Sequence, residues 1–152
     1  MFGLFKKEEF KITAPVNGEL IPLSEVKDGV FSEKVMGDGF AVIPEDGTVY
    51  APLSGLAESV FPTGHAVGIS TKDGIECIVH IGLDTVNLNG EGFEPLIRQG
   101  DRVKAGQPIV KFDKQLLEEK GYNLVTMVVF TAGYDYAFDL GRRKVTAGEK
   151  LV

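Results

Sequence analysis

The stretch TGHAVGISTKDGIECIVHIGLD, residues 63–84, has two apolar runs on either side of a Lys-Asp-Gly turn and contains both histidines of the chain, His65 and His80. Apolar runs joined by an Asp-Gly turn are typical of a β-hairpin. A loop centred on Lys72 and Asp73 places His65 directly opposite His80, and a turn one residue later makes them diagonal neighbours on one face. Only an odd, bulged register separates them to opposite faces. The simplest registers therefore predict that the two imidazoles meet.

Similar apolar runs rich in Val, Ile and Phe recur along the rest of the chain, and Gly, Pro, Asn and Asp separate them. This spacing predicts an all-β fold, a sandwich or a barrel. An Ala-Pro-x-x-Gly pattern occurs in APVNGELIPL and again in APLSGLAESV, which indicates two copies of a strand-turn-strand unit. The candidate strands are FKITA, GELIPL, GFAVIP, TVYAP, GLAESVF, HAVGIST, IECIVHI, RVKA, PIVKF, LVTMVVF and KVTA.

Turn and helix signals fill the segments between these runs. EDGT, like KDGI, has the Asp-Gly pair of a hairpin turn. DKQLLEEKG predicts a helix with Asp113 as its N-cap and Gly121 as its stop. GFEPLIRQG and DGVFSEKVMGDG each predict one further short helical segment.

Length and charge limit the classes of function. A chain of 152 residues is expected to form one domain over residues 1–152, with residues 1–9 as a flexible N-terminal segment. The net charge of −6 argues against a nucleic-acid partner, because nucleic acid repels a negative protein surface. Cys77 is the single cysteine and lies in an apolar run, which favours a buried thiol and a reducing compartment. With no long apolar segment, the chain is expected to be cytoplasmic.

The histidine pair allows three interpretations. Each histidine could be a partly buried core residue. Alternatively, His65, His80 and Asp84 could form a zinc site, because HIGLD has an HxxxD spacing that resembles part of the signature of lysostaphin-type zinc peptidases. The additional H-x-H motif of those enzymes is missing, and an extended strand holds residues 80 and 84 roughly 13 Å apart. The third interpretation is covalent catalysis by a neutral imidazole that accepts a phosphoryl group, with Thr63 fixing the tautomer of His65.

The motifs PTGHAVGI and CIVHIGLDTVNLNGEGF resemble the active-site signature of the glucose-type IIA component of the bacterial phosphoenolpyruvate:sugar phosphotransferase system. APLSG, GDGFAVIP, GDRVKAGQPIVKFD and LLEEKG match the same family in the same order, so the resemblance spans about residues 10–152. It implies an antiparallel, barrel-like β-sandwich of the duplicated hybrid motif type with a few short helices. It also implies a PTS EIIA type-1 domain and a free-standing component rather than a fused one.

The resemblance further implies a phosphotransferase in which His80 accepts the phosphoryl group, as tele-phosphohistidine, and His65 stabilises its oxygens. Thr63 would orient His65, and Asp38 and Asp84 would accept arginines from both partners. The donor would be the small carrier HPr, and the acceptor would be the IIB domain of a sugar permease. The apolar residues expected to form a collar around the site are Phe31, Val35, Met36, Phe40, Phe61, Ile78 and Val86.

The same resemblance implies a protein that is mainly monomeric and requires no metal or other cofactor. Some members also regulate transporters and sugar kinases. The alternative function is a non-catalytic regulatory module whose histidine pair, His65 and His80, docks partners or binds zinc.

Overall fold

The computed structural model describes residues 10–135 and 137–152; the predicted flexible segment 1–9 lies outside the described residues. Within those ranges the chain forms short helical segments and eleven strands. The strands are β1 (Gly18–Pro22), β2 (Asp38–Pro44), β3 (Thr48–Tyr50), β4 (Gly55–Val60), β5 (Ala66–Ser70), β6 (Glu76–Ile81), β7 (Phe93–Pro95), β8 (Arg102–Val103), β9 (Pro108–Phe112), β10 (Thr126–Ala132) and β11 (Arg143–Val145). The helical segments are α1 (Gly29–Ser32), α2 (Lys114–Glu119) and two 3-10 turns, Leu23–Glu25 and Thr85–Leu88.

Two antiparallel sheets pair these strands. The larger has the order β11-β1-β2-β10-β6-β5-β4-β8, and the smaller has the order β3-β9-β7. This arrangement confirms the predicted antiparallel, sandwich-like β fold. It also fits the Ala-Pro-x-x-Gly repeat, because the glycine of each copy begins a strand, β1 at Gly18 and β4 at Gly55.

The sheets enclose the main core, and the alternation of side chains along β6 shows how. Cys77, Val79 and Ile81 are buried in the main cluster together with Ile109 and Val110 of the smaller sheet. Each such side chain contributes about 1.5–3 kcal/mol when fully buried. His80 therefore lies on the other face of β6.

That other face carries a second, smaller apolar cluster. Met127 of β10 is fully buried in it and pairs directly opposite His80. The other members come from β1, β2, the first 3-10 turn, α1 and β10, or directly adjoin these elements, and they are Ile21, Leu23, Val26, Phe31, Ala41, Val125 and Val129. The second cluster thus brings the α1 segment over the strand that holds His80.

Several local predictions are wrong. FKITA contributes only an isolated bridge at Thr13, and GFEPLIRQG forms strand β7 instead of a helical turn, because Phe93 pairs with Phe112 of β9. The EDGT turn does not close a hairpin, since β2 and β3 belong to different sheets.

The α2 prediction is confirmed: the Asp113 carboxylate accepts a hydrogen bond from the Leu116 amide at 3.1 Å. The DGVFSEKVMGDG prediction is confirmed over the short α1.

The hairpin register differs from each simple register predicted from sequence. Ala66, and not His65, pairs with His80, and Ser70 pairs with Glu76. The Thr71 amide donates to the Ile75 carbonyl, so the loop contains three residues and ends at Gly74, whose φ is 86°. A three-residue loop closed by a left-handed residue is a common hairpin that shifts the register by one. The conformation of Gly74 therefore sets the odd register.

We predict that Gly74→Ala lowers the free energy of unfolding by about 1 kcal/mol, because an L-residue is strained at positive φ. No atom lies within 4 Å of the added Cβ, so the cost comes from the backbone alone. Gly74→Asn is the control and should lose less, since Asn tolerates this conformation. Urea unfolding of the three proteins measures the effect. Equal stability of the wild type and Gly74→Ala would contradict this account of the register.

Candidate active site: the histidine pair

The two imidazoles are in contact, as the sequence predicts. Their ring centroids lie 5.2 Å apart with an interplanar angle of 81°. The register alone does not bring them together, because regular alternation would turn His65 to the same face as Val67, toward the main core. His65 precedes the first residue of β5, where the chain leaves a tight turn in which the Gly64 amide donates to the Phe61 carbonyl at 2.7 Å. The turn, rather than the strand, directs the His65 side chain.

Two contacts hold the His65 ring. The Thr63 hydroxyl lies 2.5 Å from its Nδ1, and the Phe61 ring packs edge-on with centroids 5.4 Å apart. His65 is only 4% exposed. The predicted partnership of Thr63 and His65 is therefore present as a contact.

A backbone carbonyl orients the His80 ring. The Nδ1 of His80 lies 2.9 Å from the carbonyl oxygen of Gly82. Since a carbonyl can only accept, Nδ1 carries the proton and donates, and Nε2 of the neutral ring keeps its lone pair. Phe31 packs against the same ring with centroids 5.1 Å apart. His80 is thus held with one nitrogen tied to the backbone and the other free to react.

Burial keeps both imidazoles neutral. Burial, together with the charge that a protonated His65 would carry, lowers the pKa of His80 to about 4, although the Gly82 carbonyl, Asp28 and Asp84 act in the opposite direction. Burial also lowers the pKa of His65. At pH 7 both rings are unprotonated, which is the state required of a nitrogen nucleophile.

The two predicted acidic residues differ in their relation to the pair: Asp84 acts electrostatically on His80, and Asp38 is not among the charges that do so. Asp84 has a left-handed backbone (φ 59°) at the start of the 3-10 turn Thr85–Leu88. Asp38 begins β2, is 28% exposed and forms an ion pair with Lys34 at 3.4 Å. Asp28, which the sequence analysis did not single out, also acts electrostatically on His80. No motif marks Asp28, because only the packing of the α1 segment over β6 brings it there.

The predicted apolar collar divides into exposed and buried residues. Phe61, Val86, Val35 and Met36 are exposed apolar side chains. Phe40 is 1% exposed and packs in the main core against Phe138, with ring centroids 5.8 Å apart. The prediction that Phe40 binds a partner is therefore wrong, because its position in β2 points it into the core. Phe31 is buried against His80, and Ile78 is half-buried.

Neither a zinc site nor a reactive thiol is found among the residues that the structure describes. Among the residues that the structure describes, no group of three or more His, Cys, Asp or Glu side chains is placed to hold a metal ion. His65, His80 and Asp84 therefore do not form the three-ligand zinc centre considered from the HIGLD spacing. Cys77 is fully buried, and burial raises the pKa of its thiol to about 12, which makes it a poor nucleophile. No helix in the described ranges is both long and apolar enough to cross a membrane.

The family match and the similarity of fold together define the class of this protein, which is that of the phosphoryl carriers of a sugar phosphotransferase system. The chain belongs to the EIIA 1 family of the phosphoenolpyruvate-dependent sugar phosphotransferase system, whose model matches residues 10–136. This is a family of phosphotransferases.

Individual relatives agree with the family match. The glucose-specific EIIA component of Halalkalibacterium halodurans is 48% identical over 86% of this chain and 80% of its own length. The glucoside-specific EIICBA component of Staphylococcus carnosus is 47% identical over 93% of this chain, which spans only 20% of that relative. The glucose permease IIA of Mycoplasma capricolum has a TM-score of 0.88 at 38% identity, covering 95% of both chains.

We predict that acidification destabilises the protein through His80. Because the folded pKa of about 4 is below the ordinary value of 6.5, the unfolded chain binds a proton in this window that the folded chain does not. The free energy of unfolding should therefore fall as the pH is lowered from about 6.5 to about 4, by up to about 3 kcal/mol for this group. Urea unfolding of the wild type and His80→Gln across the window measures the difference.

The His80→Gln protein is the control, because it retains every other titrating group. NMR titration provides the direct measurement, and two histidines give two signals. A midpoint for His80 near 6.5, with parallel pH profiles for the two proteins, would refute the prediction.

Proposed function

We propose that His80 is the phosphoryl acceptor, which receives the group from phospho-HPr and passes it to a cysteine of the IIB domain of a sugar permease. The observation that carries this proposal is the hydrogen bond from Nδ1 of His80 to the Gly82 carbonyl. It leaves Nε2 as the nucleophile, so the adduct is tele-phosphohistidine. The lowered pKa of His80 keeps that nitrogen unprotonated.

In the first transfer the lone pair of His80 Nε2 attacks phosphorus, and the bond from phosphorus to the donor imidazole breaks with its electron pair returning to the donor. In the second transfer a thiolate of the acceptor attacks phosphorus, and the bond to Nε2 breaks. Throughout both steps the proton stays on Nδ1 and is donated to the Gly82 carbonyl, and this hydrogen bond stabilises the partial positive charge that the phosphorylated ring carries. No step needs a metal ion or other cofactor.

His65 stabilises the phosphoryl oxygens in this proposal. When the Thr63 hydroxyl donates to Nδ1 of His65, the proton of the neutral ring sits on Nε2, where it can be donated to a phosphoryl oxygen. The ring contact between His65 and His80 supports this role, since it keeps the donor within reach of the group on His80. Preorganised donors of this kind stabilise charge that develops in a transition state.

The partner surface consists of acidic and apolar groups around the pair. Asp38 and Asp84 accept cationic side chains from the carriers, and Phe61 and Val86 supply exposed apolar area. Charges at the edge of an interface raise the association rate without demanding tight binding, which suits a carrier that must meet two partners in turn. The permease as acceptor is supported by relatives whose names join EIIA to EIIB and EIIC in one component.

The proposal extends to organisation and location. Residues 1–152 form one EIIA type-1 domain that acts mainly as a monomer in the cytoplasm, where it meets the permease. A regulatory module that uses the histidine pair to dock partners or share a zinc ion is the alternative, and the labelling experiment below separates the two.

We predict that incubation with labelled phosphoenolpyruvate, the general phosphotransferase enzyme and HPr gives an acid-labile, base-stable adduct on the wild type. His80→Ala should carry no label, because the attacking nitrogen is gone. Absence of label on the folded wild type would reject the carrier function in favour of the regulatory module. Label that persists in His80→Ala would reject the assignment of His80 alone.

We predict that His65→Gln still accepts the phosphoryl group but passes it to the IIB domain at least about tenfold more slowly, since one transition-state donor is worth at least that factor. Thr63→Val should show a smaller defect of the same kind, because it removes the hydroxyl that sets the His65 tautomer. Single-turnover transfer from each labelled protein measures both. Transfer at the wild-type rate in His65→Gln would contradict the supporting role.

We predict that Asp38→Asn combined with Asp84→Asn raises the KM for phospho-HPr by about three- to tenfold and flattens its dependence on salt. The matched control is Asp73→Asn combined with Asp135→Asn, which removes the same charge at two other exposed positions. Steady-state phosphorylation at several salt concentrations measures both proteins. Equal changes in the two would mean that only net charge matters.

A further inference from the structure

A basic concave surface lies at the end of the larger sheet away from the histidine pair. We call it the basic cleft and define it by Ser54, Leu56, Ser70, Lys72, Arg102 and Lys104, which line a cavity of about 480 Å³. His65 adjoins the first residue of β5, and Ser70 is the last. At about 3.3 Å per residue, the two ends are roughly 16 Å apart. The basic cleft is therefore separate from the phosphoryl site.

The strand registers explain why these side chains share one face. Leu56 of β4 pairs with Ser70 of β5 on one side and with Arg102 of β8 on the other. Directly opposed residues project to the same face of a sheet.

Three further residues lie just beyond these pairs: Ser54 directly precedes β4, Lys72 lies in the turn after β5, and Lys104 directly follows β8. All three line the same cavity as Ser70, Leu56 and Arg102. The cavity is therefore lined by three cations, two hydroxyl groups and one large apolar side chain.

The three cations of the basic cleft form no ion pair with a carboxylate of residues 10–135 or 137–152. In the described part of the chain, the ion pairs engage other lysines and arginines, and none includes Lys72, Arg102 or Lys104. The chain as a whole carries a net charge of −6, with more acidic than basic residues available for pairing. Glu76 of β6 pairs with Ser70 and is a neighbouring carboxylate on this face. The three cations around the cavity outnumber it and make a local site for an anion.

The backbone around the basic cleft is fixed. The Ser54 hydroxyl accepts a hydrogen bond from the Ala105 amide at 3.0 Å, which ties the loop carrying Lys104 to the start of β4. The Lys104 amide donates to the Gln107 side chain at 3.1 Å. Leu56 is half-buried. The cavity volume falls within the range of sites for small molecules.

We propose that the basic cleft binds the phosphate group of a soluble phosphate monoester, with Arg102, Lys104 and Lys72 around the dianion. A phosphate monoester carries close to two negative charges at neutral pH and three acceptor oxygens, which match three cationic donors. Leu56 provides an apolar contact for the organic part of the ester. This inference is independent of the proposed role of His80.

The test is an NMR titration of the full chain with glucose 6-phosphate as the probe, at constant ionic strength, with glucose as the uncharged comparison. We expect saturable shifts of the amides of Leu56, Ser70 and Thr71 with glucose 6-phosphate and none with glucose. Arg102→Gln combined with Lys104→Gln should raise the dissociation constant for glucose 6-phosphate by about tenfold or more. The matched control is Arg98→Gln combined with Lys111→Gln, which removes the same charges at exposed positions outside the basic cleft and should keep the wild-type affinity.

Other outcomes would overturn the proposal. Equal weakening in the two double variants would mean that only net charge attracts the probe. Shifts confined to His65, His80 and their neighbours would place the phosphate at the phosphoryl site. Binding to vesicles of phosphatidylcholine and phosphatidylglycerol, without binding of the soluble ester, would assign the surface to lipid. His80 should be labelled normally in the Arg102→Gln, Lys104→Gln protein, which keeps this test separate from that of the carrier function.

Discussion

The pairing of β5 with β6 is the constraint on which the rest of the site depends. Ala66 opposite His80 fixes which residues of the hairpin enter the main core and which face the second apolar cluster. This register differs by one residue from the register that a two-residue turn would give. The loop therefore has three residues, and Gly74 closes it in a left-handed conformation. The same hairpin carries the histidine pair at one end and contributes Ser70 and Lys72 to the basic cleft at the other.

Burial of the histidine pair lowers the stability of the folded protein at acid pH and, by the same effect, keeps the imidazoles neutral. Removal from water destabilises the protonated imidazole, so the folded protein gives up stability at acid pH in order to keep His80 neutral. The Gly82 carbonyl compensates in part, since it satisfies Nδ1 and leaves the opposite nitrogen without a proton. A fully solvated histidine would be protonated more often and would lose its orientation. The second apolar cluster therefore serves reactivity as well as stability.

Charge is distributed unevenly over an acidic protein. Two carboxylates, Asp28 and Asp84, act on His80, whereas the cations of the basic cleft, which form no ion pair within the described residues, lie at the opposite end of β5. Fields of opposite sign at the two ends of one rigid sheet keep an incoming cationic partner and a small anion at separate places. The antiparallel pairing of β4, β5 and β6 joins the two surfaces, and Lys72 and Lys104 lie in the loops that directly follow β5 and β8.

The sequence by itself determined the antiparallel β class, most strands, the Asp113 cap, the buried Cys77 and the family, because these depend on local patterns of apolar and turn residues and on an ordered series of motifs. It misjudged β7, the EDGT turn and Phe40, since pairing partners and the inward face of β2 are set by distant segments. It predicted that the two histidines meet, yet from a register that does not occur. Only the tertiary structure decided how they meet, why Nε2 of His80 is the free nitrogen, and that Asp28 lies close enough to act on it. The first two depend on local bends, at Gly64 before β5 and at Gly82 after β6, that regular strand geometry does not contain. The approach of Asp28 depends on residues far apart in the chain that pack together in the second apolar cluster.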